Sequence, residues 1–195
     1  MARRIAIIDG HPDPDRSRFG HALAQAYEAG AHEAGHEVQR ITVATLDFPL
    51  LRTAADFRTA TPSPAIRGCQ ETLAWAQHWV ILYPLWLGSM PALLKGFFEQ
   101  VCRPGFAIGE ARGRGLPRKL LSGRSARVIV TMGMPSFFYR WYYRAHSLKS
   151  LERNILAFVG VSPVRAMVIG TVEDAATATR AKWLQQARRY GVDGS

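Results

Sequence analysis

Short apolar runs separated by helical segments constrain this chain more than any other feature. Ile5-Ala6-Ile7-Ile8, inside a strand from Arg4 to Asp9, is apolar at every position. Such a run fits a central strand of a parallel sheet, covered by helices on both faces. Four more strands are predicted at Glu37 to Val43, Trp79 to Tyr83, Ala126 to Met132 and Val164 to Ile169. Phe19, Leu23, Tyr27 and Ala31 form one stripe of a helix from about Ser17 to Ala34, with Gly35 where a helix ends. Ile66, Leu73 and Ala76 mark a second helix. Pro91 stands where a first helical turn tolerates it, ahead of Leu94, Phe97, Phe98 and Val101. The aromatic stretch Phe137 to Tyr143 leads into a helix ending near Gly160. Thr171 and Asp174 give a capping signal for a last helix that stops near Gly191. The alternation predicts an α/β protein with a five-stranded parallel sheet, order 2-1-3-4-5, and helices on both faces.

A chain of 195 residues with 48% hydrophobic content can bury one good core, and nothing divides it, so residues 1–195 read as one domain. No apolar run approaches the roughly 20 residues of a membrane helix, which predicts no membrane insertion. The basic-then-apolar start resembles a signal peptide, but Asp9 ends it too soon. Cys69 and Cys102 match no metal or redox spacing and read as reduced, half-buried thiols of a cytoplasmic protein; no His/Cys/acid cluster points to a metal. The formal charge is +10. Much of it lies at Arg112, Arg114, Arg118, Lys119, Arg124 and Arg127, and at Arg180, Lys182, Arg188 and Arg189 in the last helix. These read first as solvated surface. The main aromatic runs lie elsewhere in the chain, so no nucleic-acid partner is expected. Residues 44–64 form a connection long enough to suggest function, and 105–123 a basic excursion without periodicity.

In an open α/β sheet, ligands bind beyond the carboxyl ends of the strands. Three loops there stand out. After strand one, Gly10-His11-Pro12-Asp13-Pro14-Asp15-Arg16-Ser17-Arg18-Phe19 runs straight into a helix, whose free N–H groups make a natural phosphate site. Ser17 offers a hydroxyl, Arg16 and Arg18 offer charge, and His11 a donor. An ordinary loop with Ser17 as N-cap accounts for the same residues. After strand three, Pro84-Leu85-Trp86-Leu87-Gly88-Ser89 is too apolar for a solvated turn and suits a flat ring system; a turn buried under a neighbouring loop is the plainer reading. After strand four, Thr131-Met132-Gly133 permits close backbone approach, and the aromatic residues from Phe137 to Tyr143 wall a pocket, cover a subunit interface or pack in the core. Phosphate, flat ring and polar backbone edge together describe a flavin site.

These residues resemble the NAD(P)H quinone oxidoreductase family with a flavodoxin-like fold, which includes modulator-of-drug-activity proteins and ancillary subunits of potassium-efflux transporters. The resemblance rests on Gly10-His11-Pro12, Ser17-x-Phe19, Thr131-x-Gly133 and above all the segment from Tyr83 to Glu99. It implies that His11, Ser17, Arg18 and Phe19 hold the phosphate and ribityl end of FMN, with FAD as the alternative. Pro84, Leu85, Trp86 and Leu87 would line the isoalloxazine ring, and Thr131 and Gly133 its pyrimidine side. Tyr139 would assist hydride transfer, with His146 as a second candidate off the expected spacing. NAD(P)H would be the donor, with a 2′-phosphate contact available from Arg112 to Arg127, and a quinone-like acceptor would follow in a ping-pong cycle. A homodimer with the flavin near its interface is implied. An azo or flavin reductase, or a regulatory transporter subunit, would share this architecture; electron-carrier flavodoxins are usually acidic, unlike this chain.

Overall fold

A computed structural model describes residues 1–111, 115 and 117–195. Its strands are β1 (Arg4–Asp9), β2 (Glu37–Thr42), β3 (His78–Pro84), β4 (Ile108–Ala111), β5 (Pro117–Lys119), β6 (Ser125–Thr131) and β7 (Val164–Ile169). Five of them form one parallel sheet in the order β2-β1-β3-β6-β7. Numbered without the short β4–β5 pair, this is the expected order 2-1-3-4-5. From β1 the chain moves first to β2 on one side and then to β3 on the other, so the order reverses beside β1. There Asp9 pairs with Leu82 and Pro84 with Thr131, which brings three strand ends together.

The strand alternation sorts the core into two faces. Ile5 and Ile7 turn toward α1 (Phe19–Glu33) and α8 (Thr177–Asp193), packing on Leu23, Tyr27 and Ala187. Ala6 and Ile8 belong to the other face, with Ile66 and Leu73 from α3 (Pro64–Trp75) and Leu94, Phe97 and Phe98 from α4 (Ala92–Val101). Each fully buried side chain of this size contributes about 1.5–3 kcal/mol, which is why β1 and β3 are apolar almost throughout.

The connections differ from expectation in instructive ways. The long stretch after β2 contains a 3-10 turn and the short helix α2 (Ala54–Arg58), capped by Thr53 and Asp56 in a capping box. Arg103 is 4% exposed and donates to the carbonyls of Asp56, Phe57 and Ala60, so a buried guanidinium holds the segment to the body. The basic excursion carries the antiparallel pair β4–β5; Arg112 and Arg114 lie outside the described residues. The helix expected to follow the aromatic stretch is broken. α5 (Ser136–Trp141) ends before Arg144 and Ala145, both at φ 50, and α6 (His146–Ser150) continues through a π-helical stretch, Leu151–Leu156, to α7 (Ala157–Val159). Gly160 then ends the helix at φ 109, as expected. Thr171 does not cap the last helix. It sits at φ 52, and α8 begins at Thr177 without a side-chain cap.

Two sets of polar expectations also change. Cys69 and Cys102 are buried rather than half-buried, and desolvation pushes their thiols up, to about 11 and about 12. Arg124 and Arg127 are structural, at the end of β6 opposite the site. Arg124 donates to the carbonyls of Leu73, Ala74 and Ala76 at the end of α3, and Arg127 lies 3.5 Å from the centre of the Tyr190 ring. Neither is placed for a nucleotide 2′-phosphate at the carboxyl ends of the strands. No helix among the described residues is long and apolar enough to cross a membrane.

Candidate cofactor site

A cleft of about 510 Å³ opens where β1, β3 and β6 end. That lies within the roughly 300–1,000 Å³ typical of cofactor pockets. The three loops singled out above converge on it: His11, Ser17, Arg18 and Phe19 from the first, Pro84, Leu85 and Trp86 from the second, Thr131 and Gly133 from the third. These residues are up to 122 positions apart (133 − 11), and adjacency of the three strands alone brings them together.

At the first loop, α1 begins at Phe19 rather than Ser17, and its N-cap, Arg18, makes no side-chain cap. The N–H groups of Phe19 and Gly20 have no partner among the described residues, as the start of an uncapped helix dictates. Ser17 does not cap the helix either; its hydroxyl donates to Asp15 at 2.8 Å. Arg18 Nε donates to Asp13 at 2.7 Å, and Arg16 faces a different cavity, beside Glu28 and Arg40. Hydrogen bonds from the Asp15 N–H and then from Arg18 hold the Asp13 carboxyl below its usual range, and the N–H and hydroxyl of Ser17 do the same for Asp15. Two ionised carboxylates thus offset the two arginines, and the loop is not the basic patch its arginines promised. Burial, followed by the neighbouring His21, lowers the His11 imidazole below its usual value.

At the second loop the chain reverses through Leu87 and Gly88, at φ 46 and 76, with Trp86 and Ser89 exchanging both backbone hydrogen bonds at 2.9 Å. Two consecutive positive φ values are those of a type I′ turn. The turn throws Leu87 fully into solvent and away from the cleft, which corrects its expected place on the ring. Leu85 N–H is already used by Thr131 O at 2.7 Å, whereas the N–H groups of Leu87 and Gly88 are unpartnered among the described residues.

Tyr139 and His146 are not in the cleft. Tyr139 is 1% exposed inside the core, its hydroxyl 2.7 Å from Ser147 Oγ and accepting from Leu148 N–H. His146 is exposed at the start of α6. The helical turn after Gly133 points Tyr139 inward and presents Phe137, Trp141 and Tyr142 to solvent instead. Tyr139→Phe is therefore expected to cost about 1–2 kcal/mol in urea unfolding, for loss of a buried hydrogen-bonded hydroxyl, and to leave turnover unchanged. Slower turnover at unchanged stability would return the residue to the mechanism.

Arg180 is the residue that sequence reasoning missed. It comes from α8, lies 5.7 Å from the Phe19 ring, lines the cleft, and donates to Val172 O at 2.8 Å and Glu173 O at 3.1 Å. Its Nε is buried without a partner among the described residues. In the sequence it is one cation among several on a polar helix, and no local signal separates it from Lys182 or Arg189.

Free helix N–H groups and an underused arginine at one end, and Pro84, Leu85 and Trp86 beside them, fit a ligand with a phosphate and a planar ring. A parallel sheet with such a cleft at its order reversal defines a doubly wound, flavodoxin-like ligand-binding protein. The chain belongs to the family described as having a flavodoxin-like fold, whose model matches residues 3–190. It is 29% identical to the FMN-dependent NADH:quinone oxidoreductase of Nitratidesulfovibrio vulgaris, over 97% of this chain and 98% of that one. It is 25% identical to an uncharacterized NAD(P)H oxidoreductase of Haemophilus influenzae, over 85% and 83%. Among solved structures, the NAD(P)H:quinone oxidoreductase of Methanothermobacter marburgensis superposes with a TM-score of 0.82 at 22% identity, covering 99% of this chain and 97% of that one. An FMN-dependent NADH-azoreductase of Bacillus anthracis, solved with FMN, gives 0.74 at 17% identity, covering 97% and 96%. At these identities the structural likeness is one of fold.

Proposed function

We propose that the protein is a flavin-dependent NAD(P)H oxidoreductase that holds FMN in this cleft and reduces a quinone-like acceptor. The observation that carries the reading is the convergence of the three loops and Arg180 on one cleft at the strand-order reversal. The name of the Nitratidesulfovibrio relative, which is matched over nearly its whole length, supports FMN and a quinone.

When bound, FMN supplies the two-electron chemistry by which NAD(P)H and a proton reduce a quinone to its hydroquinone. The chain's own part is to bind and orient. The Phe19 and Gly20 N–H groups and Arg180 hold the phosphate, and Ser17 joins them by turning its hydroxyl away from Asp15. Pro84, Leu85 and Trp86 exclude water from the ring. The N–H group of Gly133, without a partner among the described residues, is available to donate to ring heteroatoms that gain charge on reduction. Donor and acceptor use one open cleft in turn, which makes the kinetics ping-pong. Trp86 at the cleft and Phe137, Trp141 and Tyr142 on the aromatic stretch are exposed apolar side chains that a second copy of the chain would cover, and dependence on NAD(P)H fits the cytoplasm.

The test is flavin binding followed by acceptor kinetics. The purified protein is expected to be yellow and to release FMN, to give parallel double-reciprocal lines with NAD(P)H and a benzoquinone, and to lose about tenfold in FMN affinity in Arg180→Gln, the loss of one charge-assisted contact. Failure to bind either FMN or FAD would refute the reading. Faster turnover of azo dyes or free flavin than of quinones would move the acceptor to that class.

A further inference from the structure

The loop that receives the phosphate rests on a buried ionic cluster. Asp9, the last residue of β1, is fully buried. One of its oxygens, Oδ2, lies 2.5 Å from His21 Nδ1 and accepts from Arg40 Nη2 at 2.6 Å. The other, Oδ1, accepts a long bond from His11 N–H at 3.4 Å. His21, itself buried, places its second nitrogen, Nε2, 2.8 Å from the carbonyl oxygen of Asp13. A carbonyl can only accept, and so can an ionised carboxylate. Both ring nitrogens of His21 therefore face acceptors, and a neutral ring with one N–H satisfies only one of them.

The charges that face His21 come from every side. Asp9 lies on β1, His11 and Asp13 on the loop, Arg40 on β2, and Arg16 and Glu28 line the polar cavity it borders. Arg40 also pairs with Glu28 at 3.3 Å. Around this loop the carboxylates Asp9, Asp13, Asp15 and Glu28 face the guanidinium groups of Arg16, Arg18 and Arg40. His21 as imidazolium balances the set, and His21 neutral leaves one net negative charge under the first turn of α1, where the phosphate is to bind. The His11 ring lies 5.1 Å from that of His21.

We propose that His21 is a positioning residue for the cofactor phosphate: as a buried imidazolium it cancels Asp9 and ties Asp13 down, shaping the loop and removing the negative charge beneath it. The proposal rests on FMN occupying the cleft. It assigns the favourable charge of this loop to a side chain behind the cleft, since the exposed Arg18 is already paired with Asp13.

The experiment compares FMN with riboflavin, which has the same ring and no phosphate, by quenching of flavin fluorescence in wild type and in His21→Asn, which keeps one donor toward Asp9. The variant is expected to lose about tenfold in FMN affinity, the size of one charge-assisted contact, with riboflavin affinity within about twofold of wild type. Equal losses for both flavins would overturn the proposal and leave the FMN reading standing; a wild type that binds neither flavin overturns both. Nitrogen-15 NMR of His21 in the wild type does not depend on the variant folding. Two protonated ring nitrogens at neutral pH support the proposal, and a single neutral tautomer overturns it.

Discussion

Gly191→Ala is expected to lower stability by about 3 kcal/mol, the upper end of the cost of overpacking, and to weaken flavin binding with it. α1 and α8 cross with backbone against backbone. A Cβ at Gly191 would sit 2.0 Å from Tyr27 O and 2.8 Å from Ala31 N, and one at Gly30 would sit 2.0 Å from Arg188 O. The obstructing atoms are main-chain atoms inside helices, so no side chain can swing aside, and the helices must separate. That separation reaches the cleft, because α1 starts at Phe19 and α8 carries Arg180 and Trp183, whose ring lies 6.0 Å from that of Phe19. For a chain of this length about 3 kcal/mol lowers the melting temperature by roughly 6–12 °C. Gly68→Ala is the control. It is exposed in the middle of α3 with nothing within 4 Å of a new Cβ, and alanine there should stabilise by about 0.5–1 kcal/mol. Equal melting temperatures for the two variants would show that the crossing gives way without cost.

Asp9→Asn carries the second large effect. The carboxylate accepts from Arg40 and closely faces His21, with no exposure of its own. The amide leaves Arg40 without this counter-charge and can turn an NH₂ group toward it or toward His21. Removing one partner of a buried ion pair costs about 3–5 kcal/mol. The Arg40 side chain is 25% exposed, so water takes up part of its charge, and a loss of about 3 kcal/mol in urea unfolding is expected. Adding Arg40→Met should recover part of the loss, since it removes the stranded guanidinium charge. An Asp9→Asn variant within about 0.5 kcal/mol of wild type, the range of an ordinary surface change, would mean that Asp9 does not hold this cluster together.

Sequence reasoning reached furthest where the signal was local. The Ile5–Ile8 run, the stripe from Phe19 to Ala31 and the residues after Pro91 each state their own secondary structure, because burial on both faces or on one face leaves a period in the residues themselves. Strand order and the placing of three loops at one end of the sheet followed from general rules of parallel sheets. Fine direction was less legible. Tyr139 lies three residues beyond Ser136, and a helix starting there turns it into the core; a shift of one position would have exposed it. Leu87 leaves the cleft because the turn takes two positive φ values, and only Gly88 advertised one of them.

The sequence by itself determined the doubly wound sheet, its two buried faces and the loops that line the cleft, since each depends on hydrophobic period and turn chemistry within a few tens of residues. Only the tertiary structure decided the charge of the site. Arg18 and Arg16 look like phosphate ligands until Asp13 and a separate cavity claim them, whereas Arg180, some 160 residues from Phe19 in the chain (180 − 19 = 161), comes to lie beside its ring. His21 and Asp9 read as an ordinary helix residue and strand end until β2 brings Arg40 against them. An ion's contribution is set by what surrounds it within a few ångströms, and in a folded chain those neighbours come mostly from elsewhere in the sequence.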